Sequence, residues 1–168
     1  MIAKELPAGG FFVLDEKIAK WLMRGAFISA IVKHTRGGNS MRDVVLSMQN
    51  TLLSEAVARS LSETGEFRVE QVPPRKTGDA FSLCQAAQAD ILLMEVSRLT
   101  AYTLENRLGL IGRVREAVPG CKFVLLCDEN SDAELARRVK CARQDRLIDA
   151  FLYASVTPAY LTAALDAL

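Results

Sequence analysis

The sequence predicts the α/β class: a five-stranded parallel sheet in the order 2-1-3-4-5 with helices on both faces, preceded by an extra N-terminal helix. Three observations predict it. From Met41 onward, apolar runs alternate strictly with segments of helical periodicity, the pattern of successive strand-helix units. Two of these runs, residues 90–95 (D-I-L-L-M-E) and Lys122–Cys127 (K-F-V-L-L-C), are continuously apolar at their centres, as in strands covered on both faces. The connections are short, and right-handed crossovers then favour this strand order. The functional crevice falls at the carboxyl ends of the first and third strands.

The elements follow in order. Residues 43–48 (D-V-V-L-S-M) are a short β-rich run. Residues 51–62 place Leu52, Leu53, Val57 and Leu61 on one helical face and end near Gly65. Residues 67–72 alternate like a strand, Pro73 and Pro74 break the chain, and a helix resumes over 78–87. After the run at 90–95, residues 102–118 form a long amphipathic helix closed by Pro119 and Gly120. Ser131 is the expected N-cap of a helix over 132–143, and 148–153 (I-D-A-F-L-Y) are the last strand. Thr157 caps a helix over 158–168, with Pro158 at the first position, where its missing N–H costs nothing.

Two regions separate at the flexible stretch T-R-G-G-N-S, residues 35–40: an N-terminal helical extension (1–40) and the main domain (41–168). In the extension Asp15 is an N-cap, and Ile18, Trp21, Leu22, Gly25, Ile28 and Val32 recur at three- and four-residue intervals over 16–33. Met23, Phe27 and Ile31 widen that stripe, so the helix needs a covering surface: the main domain, a second copy in a homodimer, or a membrane face. Two origins stay open for this segment. It is native, or it is added sequence ahead of a start at Met41, because R-G-G-N-S can be encoded by a purine-rich stretch resembling a ribosome-binding site.

Bulk properties exclude several classes. Twenty-one Lys+Arg against 20 Asp+Glu leave a net charge of +1, which calls for no nucleic acid or anionic membrane. The apolar stretch 22–32 is about eleven residues, against the roughly 20 that cross a bilayer, so no membrane span is expected. Phe11 to Leu14 is followed at once by Asp15, Glu16 and Lys17, unlike a secretion signal, and a cytoplasmic location is expected. Cys84, Cys121, Cys127 and Cys141 form no C-x-x-C pair, and His34 is the single histidine, so no metal site is expected and the thiols read as free. No G-x-G-x-x-G follows the first strand, and no G-x-x-x-x-G-K-[ST] or G-x-S-x-G exists. No cofactor and no enzymatic activity are expected. Arg137, Arg138 and Lys140, with Arg143 and Arg146 beyond, read as a solvated helix face or a basic docking face.

The main domain carries a resemblance. A-D-I-L-L-M-E-V (residues 89–96) resembles the P-D-V-V-L-M-D-I segment of response-regulator receiver domains. V-P-G-C-K-F-V-L-L-C (118–127) resembles the segment leading to their switch residue, and F-L-Y-A-S-V-T-P-A-Y-L (151–161) their last strand and helix. N-T-L-L-S-E-A-V (50–57) is similar to the first helix of regulators that carry a helix-turn-helix output domain. The resemblance covers about residues 41–168. It implies a CheY-like, flavodoxin-like three-layer sandwich, a role in two-component signal transduction and a protein partner; nothing beyond Leu168 is expected to bind DNA.

An active receiver, as the resemblance implies, holds Mg²⁺ with two acidic residues and phosphorylates an aspartate. A hydroxyl residue and a lysine contact the phosphate. Carried over one at a time, the acidic pair falls on Met48 and Gln49, the acceptor on Glu95, the hydroxyl on Cys127 and the lysine on Ala154. Every position departs from the pattern. A thioether and a neutral amide replace the oxygen anions that a hard cation needs. Without ion and lysine, nothing neutralises the charge of a transferring phosphoryl group. Glu95 is one methylene longer than aspartate, and a misplacement of about an ångström can cost roughly a hundredfold.

Ordinary aspartyl phosphorylation is therefore not expected. Glu95 is either a fixed negative charge imitating a phosphorylated state or a hydrogen-bonded strand-end carboxylate. Cys127 is a redox-sensitive thiol or buried filler, with Asp128 and Glu129 raising its pKa. The expected function is an atypical receiver module acting through protein–protein interaction on a surface over 131–168, with Tyr153, Tyr160 and Leu161 as candidate contacts, each of which could equally belong to the core. The alternative is a flavodoxin-like small-molecule sensor or small enzyme whose crevice takes its apolar lining from Met48 and Cys127.

Overall fold

The computed structural model describes residues 41–76 and 78–168, except the side chain of Arg75. The helix expected over 16–33, the break at 35–40 and the origin of residues 1–40 lie outside the described residues. Five strands, β1 (Arg42–Ser47), β2 (Phe67–Gln71), β3 (Ile91–Glu95), β4 (Lys122–Cys127) and β5 (Ala150–Tyr153), alternate with five helices. These are α1 (Thr51–Glu63), α2 (Asp79–Ala87), α3 (Leu104–Ala117), α4 (Ala133–Gln144) and α5 (Pro158–Asp166). The strands form one sheet in the order 2-1-3-4-5, as the sequence predicts. All pairings are parallel, with Val44 opposite Val69, Val45 opposite Leu92, Leu93 opposite Val124 and Leu126 opposite Leu152.

The central strands bury both faces, which explains their unbroken apolar runs. Val45, Leu92, Phe123 and Leu125 pack under Cys84 of α2, Ile111 and Val114 of α3, and Val139 of α4. Val44, Leu46, Leu93 and Val124 pack under Val57 and Leu61 of α1 and Leu161 and Leu165 of α5. Helices therefore lie two on one side and three on the other. At the sheet edge, β2 keeps Phe67 buried but exposes Arg68 and Glu70, charges that discourage pairing with another chain.

Local chemistry sets the helix starts. Asn50, Thr103, Asp132 and Thr157 each accept a backbone N–H three residues ahead, from Leu53, Asn106, Leu135 and Tyr160. Two of these correct the sequence reading. Asp132, not Ser131, caps α4, because the Ser131 hydroxyl is taken by the Asp128 carboxylate. α3 starts at Leu104 rather than 102, because Thr103 is extended and Tyr102 closes a separate short turn, Thr100–Tyr102. β5 begins at Ala150, since Asp149 turns its carboxylate onto the N–H of Phe123 at 2.8 Å.

Candidate functional site

The neighbouring strands β1 and β3 bring the residues after Ser47 beside Glu95. Oε2 of Glu95 accepts the N–H of Gln49 at 2.7 Å and the N–H of Asn50 at 2.9 Å. Asn50 is the N-cap of α1, so the carboxylate sits on amides at the positive end of that helix. The Ser97 hydroxyl donates to Oε1 of Gln49 at 2.8 Å, fastening the loops after β1 and β3 a second time. Glu95 is thus a hydrogen-bonded strand-end carboxylate.

Beside it opens a crevice of about 270 Å³, lined in part by Glu95, Cys127, Asp128, Asp132 and Ala154. Arg98, also on its wall, pairs with Asp132 and holds that carboxyl down at about 2. Cys127 is 1% exposed, and burial, followed by the charges of Glu129 and Asp128, pushes its thiol up to about 11. A thiol so buried and so raised holds little thiolate at neutral pH. Ala154 is exposed and offers no cation. Among the described residues, no group of three or more His, Cys, Asp or Glu side chains could hold a metal ion.

Three sequence-predicted site residues, Glu95, Cys127 and Ala154, therefore meet at one crevice. Met48 and Gln49 do not line it. Met48 is 1% exposed and packs into the core on the α1 and α5 side, so the apolar lining expected from it is absent. Gln49 spends its backbone on Glu95 and its amide oxygen on Ser97. Of the surface candidates, Tyr160 is 60% exposed, and Tyr153 is half-buried edge-on against Phe151, with ring centres 5.5 Å apart. Leu161 is buried between α5 and the sheet, which corrects its assignment as a surface contact.

The reading from sequence missed Arg107, which the structure buries at 1% exposure against the ends of β1 and β3. Its Nε donates to the carbonyl of Glu95 at 2.9 Å, and its two amino groups donate to the hydroxyl and carbonyl of Ser47. The ring of Tyr102 covers the guanidinium at 4.7 Å, and the Tyr102 hydroxyl donates to the carbonyl of Pro74 at 2.8 Å. Burial pulls the Arg107 guanidinium down to about 10, so it stays charged at neutral pH. The available signal was its place between Leu104 and Ile111, on the apolar stripe of α3.

No family model and no curated protein matches this sequence. Solved structures do. A CheY-type chemotaxis protein from Vibrio cholerae is 16% identical and superposes with a TM-score of 0.61 over 76% of this chain and 98% of that one. A CheY-like receiver domain protein from Methanospirillum hungatei is 16% identical, with a TM-score of 0.60 over 76% of this chain and 93% of that one. This chain has the receiver fold. A pilus assembly-related protein from Burkholderia pseudomallei also superposes, at 18% identity, with a TM-score of 0.55 over 76% of this chain and 88% of that one. Within the receiver fold, the crevice beside Glu95 lies at the carboxyl ends of β3, β4 and β5, the edge of the sheet where sites in open α/β sheets are found.

Proposed function

We propose that this chain is an atypical receiver-fold signalling module that acts through protein–protein contacts without phosphorylation at Glu95. The seating of Glu95 carries the reading: its carboxylate already occupies the two amides at the start of α1, at 2.7 and 2.9 Å. The thioether of Met48 is buried, the side chain of Gln49 is engaged by Ser97, and Ala154 brings no positive charge. At the positions that correspond to an active receiver's acidic pair and lysine, no described side chain supplies oxygen anions for Mg²⁺ or a cation for a transferring phosphoryl group. The loop after β1 is tied instead to the side chain of Glu95 through the N–H groups of Gln49 and Asn50.

The output surface in this reading is α4, β5 and α5, with Tyr160 and Tyr153 as first contacts and a second copy as one possible partner. The protein acts in the cytoplasm, without a cofactor and without catalysis. Chemotaxis and pilus assembly-related proteins share this fold, so the partner has to be found through the surface rather than through the fold. A second reading, a small-molecule sensor, draws on the crevice of about 270 Å³, a little below the usual range of ligand pockets.

Incubation with Mg²⁺ and acetyl phosphate, followed by intact mass measurement, tests the first reading. The mass is expected to stay unchanged. A phosphoryl adduct that disappears in Glu95→Gln overturns it. A rise in melting temperature with one member of a metabolite panel, abolished by Ala154→Trp, would favour the sensor.

A further inference from the structure

We infer that Lys140, Arg143 and Arg146 form a docking surface for an acidic segment of a partner protein. The inference rests on the interaction-module reading and names the chemistry of the partner.

Most cations of the described domain are engaged. Arg42, Arg68, Arg98, Lys122, Arg137 and Arg138 pair with carboxylates. Arg107 and Arg115 donate to backbone carbonyls, and Arg113 lies over the ring of Phe81. Among the described side chains, those left without a carboxylate, carbonyl or ring are Arg59, Lys76, Lys140, Arg143 and Arg146. The last three fall together, at three-residue spacing along the second half of α4 and the turn after it. The N–H of Arg146 bonds to the carbonyl of Arg143 at 3.2 Å, which keeps the turn against the helix end.

Fold stability does not account for the row. The dipole of α4 favours a cation in its last turn, which covers Arg143 but neither Lys140, a turn earlier, nor Arg146, beyond the helix. Arg146 has φ of 58°, a left-handed conformation that glycine or asparagine adopts at lower cost, so the turn does not itself ask for arginine. All three are exposed, and they are followed by Leu147, 41% exposed.

The occupant follows from charge and size. From Lys140 to Arg143 the helix rises only about 4.5 Å and Arg146 lies in the turn just beyond, too short a stripe to track a nucleic acid backbone or spread over an anionic bilayer. Asp145 interrupts it, and the chain as a whole carries a net charge of only +1. A short segment of glutamates or aspartates with one apolar residue matches the cations and Leu147 together.

The test uses the full chain and a fluorescein-labelled peptide of glutamate and leucine, read by fluorescence anisotropy at low and physiological salt. Binding is expected, and the triple variant K140E/R143E/R146E should weaken it by about tenfold or more. The triple Gln variant should weaken it less, and R59E/K76E should leave it within about twofold. Circular dichroism of each variant controls for folding. Absence of peptide binding, equal weakening by R59E/K76E, or tighter binding of oligothymidylate or phosphatidylserine vesicles overturns the inference. Its failure is separable from that of the proposed function, since a phosphoryl adduct sinks only the latter and lost peptide binding at unchanged mass only the former.

Discussion

Arg107 of α3 and Ser47 of β1 are joined twice, the guanidinium donating to the serine hydroxyl at 3.0 Å and to its carbonyl at 2.8 Å. With its third bond, to the Glu95 carbonyl at 2.9 Å, one buried cation ties together the carboxyl ends of β1 and β3. Arg107→Ala strands these acceptors and opens a cavity, and should cost about 3 kcal/mol or more. Arg107→Met keeps much of the volume and removes the penalty of burying a charge, so it should cost clearly less. Urea denaturation of the two variants separates them. An alanine variant within about 1 kcal/mol of the parent would mean that the network is incidental.

Glu95 should behave as a staple. Glu95→Ala leaves the N–H groups of Gln49 and Asn50 without their acceptor and should cost about 2 kcal/mol, a charged hydrogen bond being involved. Glu95→Gln keeps an oxygen in place and should recover about half of that. Hydrogen exchange at the two amides gives the readout. Faster exchange is expected in the alanine variant, with a smaller increase in the glutamine variant, and exchange unchanged from the parent in both would show that the amides are held by something else.

The sheet was legible from residue order because strands buried on both faces, such as Ile91–Glu95 and Lys122–Cys127, leave unbroken apolar runs that few other structures require. Helix starts were legible where a single capping residue was available, as at Thr157. The start at Ser131 was misplaced because Asp132 competes for the same role and Asp128 captures the serine. The site was only partly legible. Strand ends located Glu95, Cys127 and Ala154, but the direction of a side chain at a strand end depends on packing, which sent Met48 into the core. Leu161 was misread for a related reason: an apolar residue next to an exposed tyrosine looks superficial until the helix is turned onto the sheet. Arg107 went unnoticed because arginine is so seldom fully buried.

The thiols give a pH dependence. Folded Cys127 holds its proton up to about 11, whereas the unfolded chain releases it near the ordinary value of 9.0. Between those pH values the native state binds more protons, so stability falls as pH rises from about 9 to 11. Cys121 acts in the same direction, raised by a hydrogen bond with the Cys84 thiol and by burial. Cys127→Ala should flatten the fall in urea midpoint between pH 8 and 10.5. At pH 8, iodoacetamide should modify half-buried Cys141 ahead of Cys84, Cys121 and Cys127, as peptide mapping of the main domain would show. Early labelling of Cys127 would contradict its assignment as a buried thiol that holds little thiolate.

Gly109 and Gly112 sit in the middle of α3 on its exposed side, and an added Cβ at either meets nothing within 4 Å. A helix-interior glycine costs about 1 kcal/mol relative to alanine, through backbone entropy alone. If the isolated domain is all that this face serves, Gly109→Ala and Gly112→Ala should each stabilise it by about that amount and raise the melting temperature by a few degrees. The two lie one turn apart, close enough for added methyl groups to be neighbours, so the double variant measures any coupling between them as its departure from the sum. A gain in stability accompanied by loss of partner capture in the native host would mean that the glycines admit a closely approaching helix, an arrangement in which any side chain at these positions would stand between the two backbones. No gain at either position would instead point to a contact on this face within the chain itself.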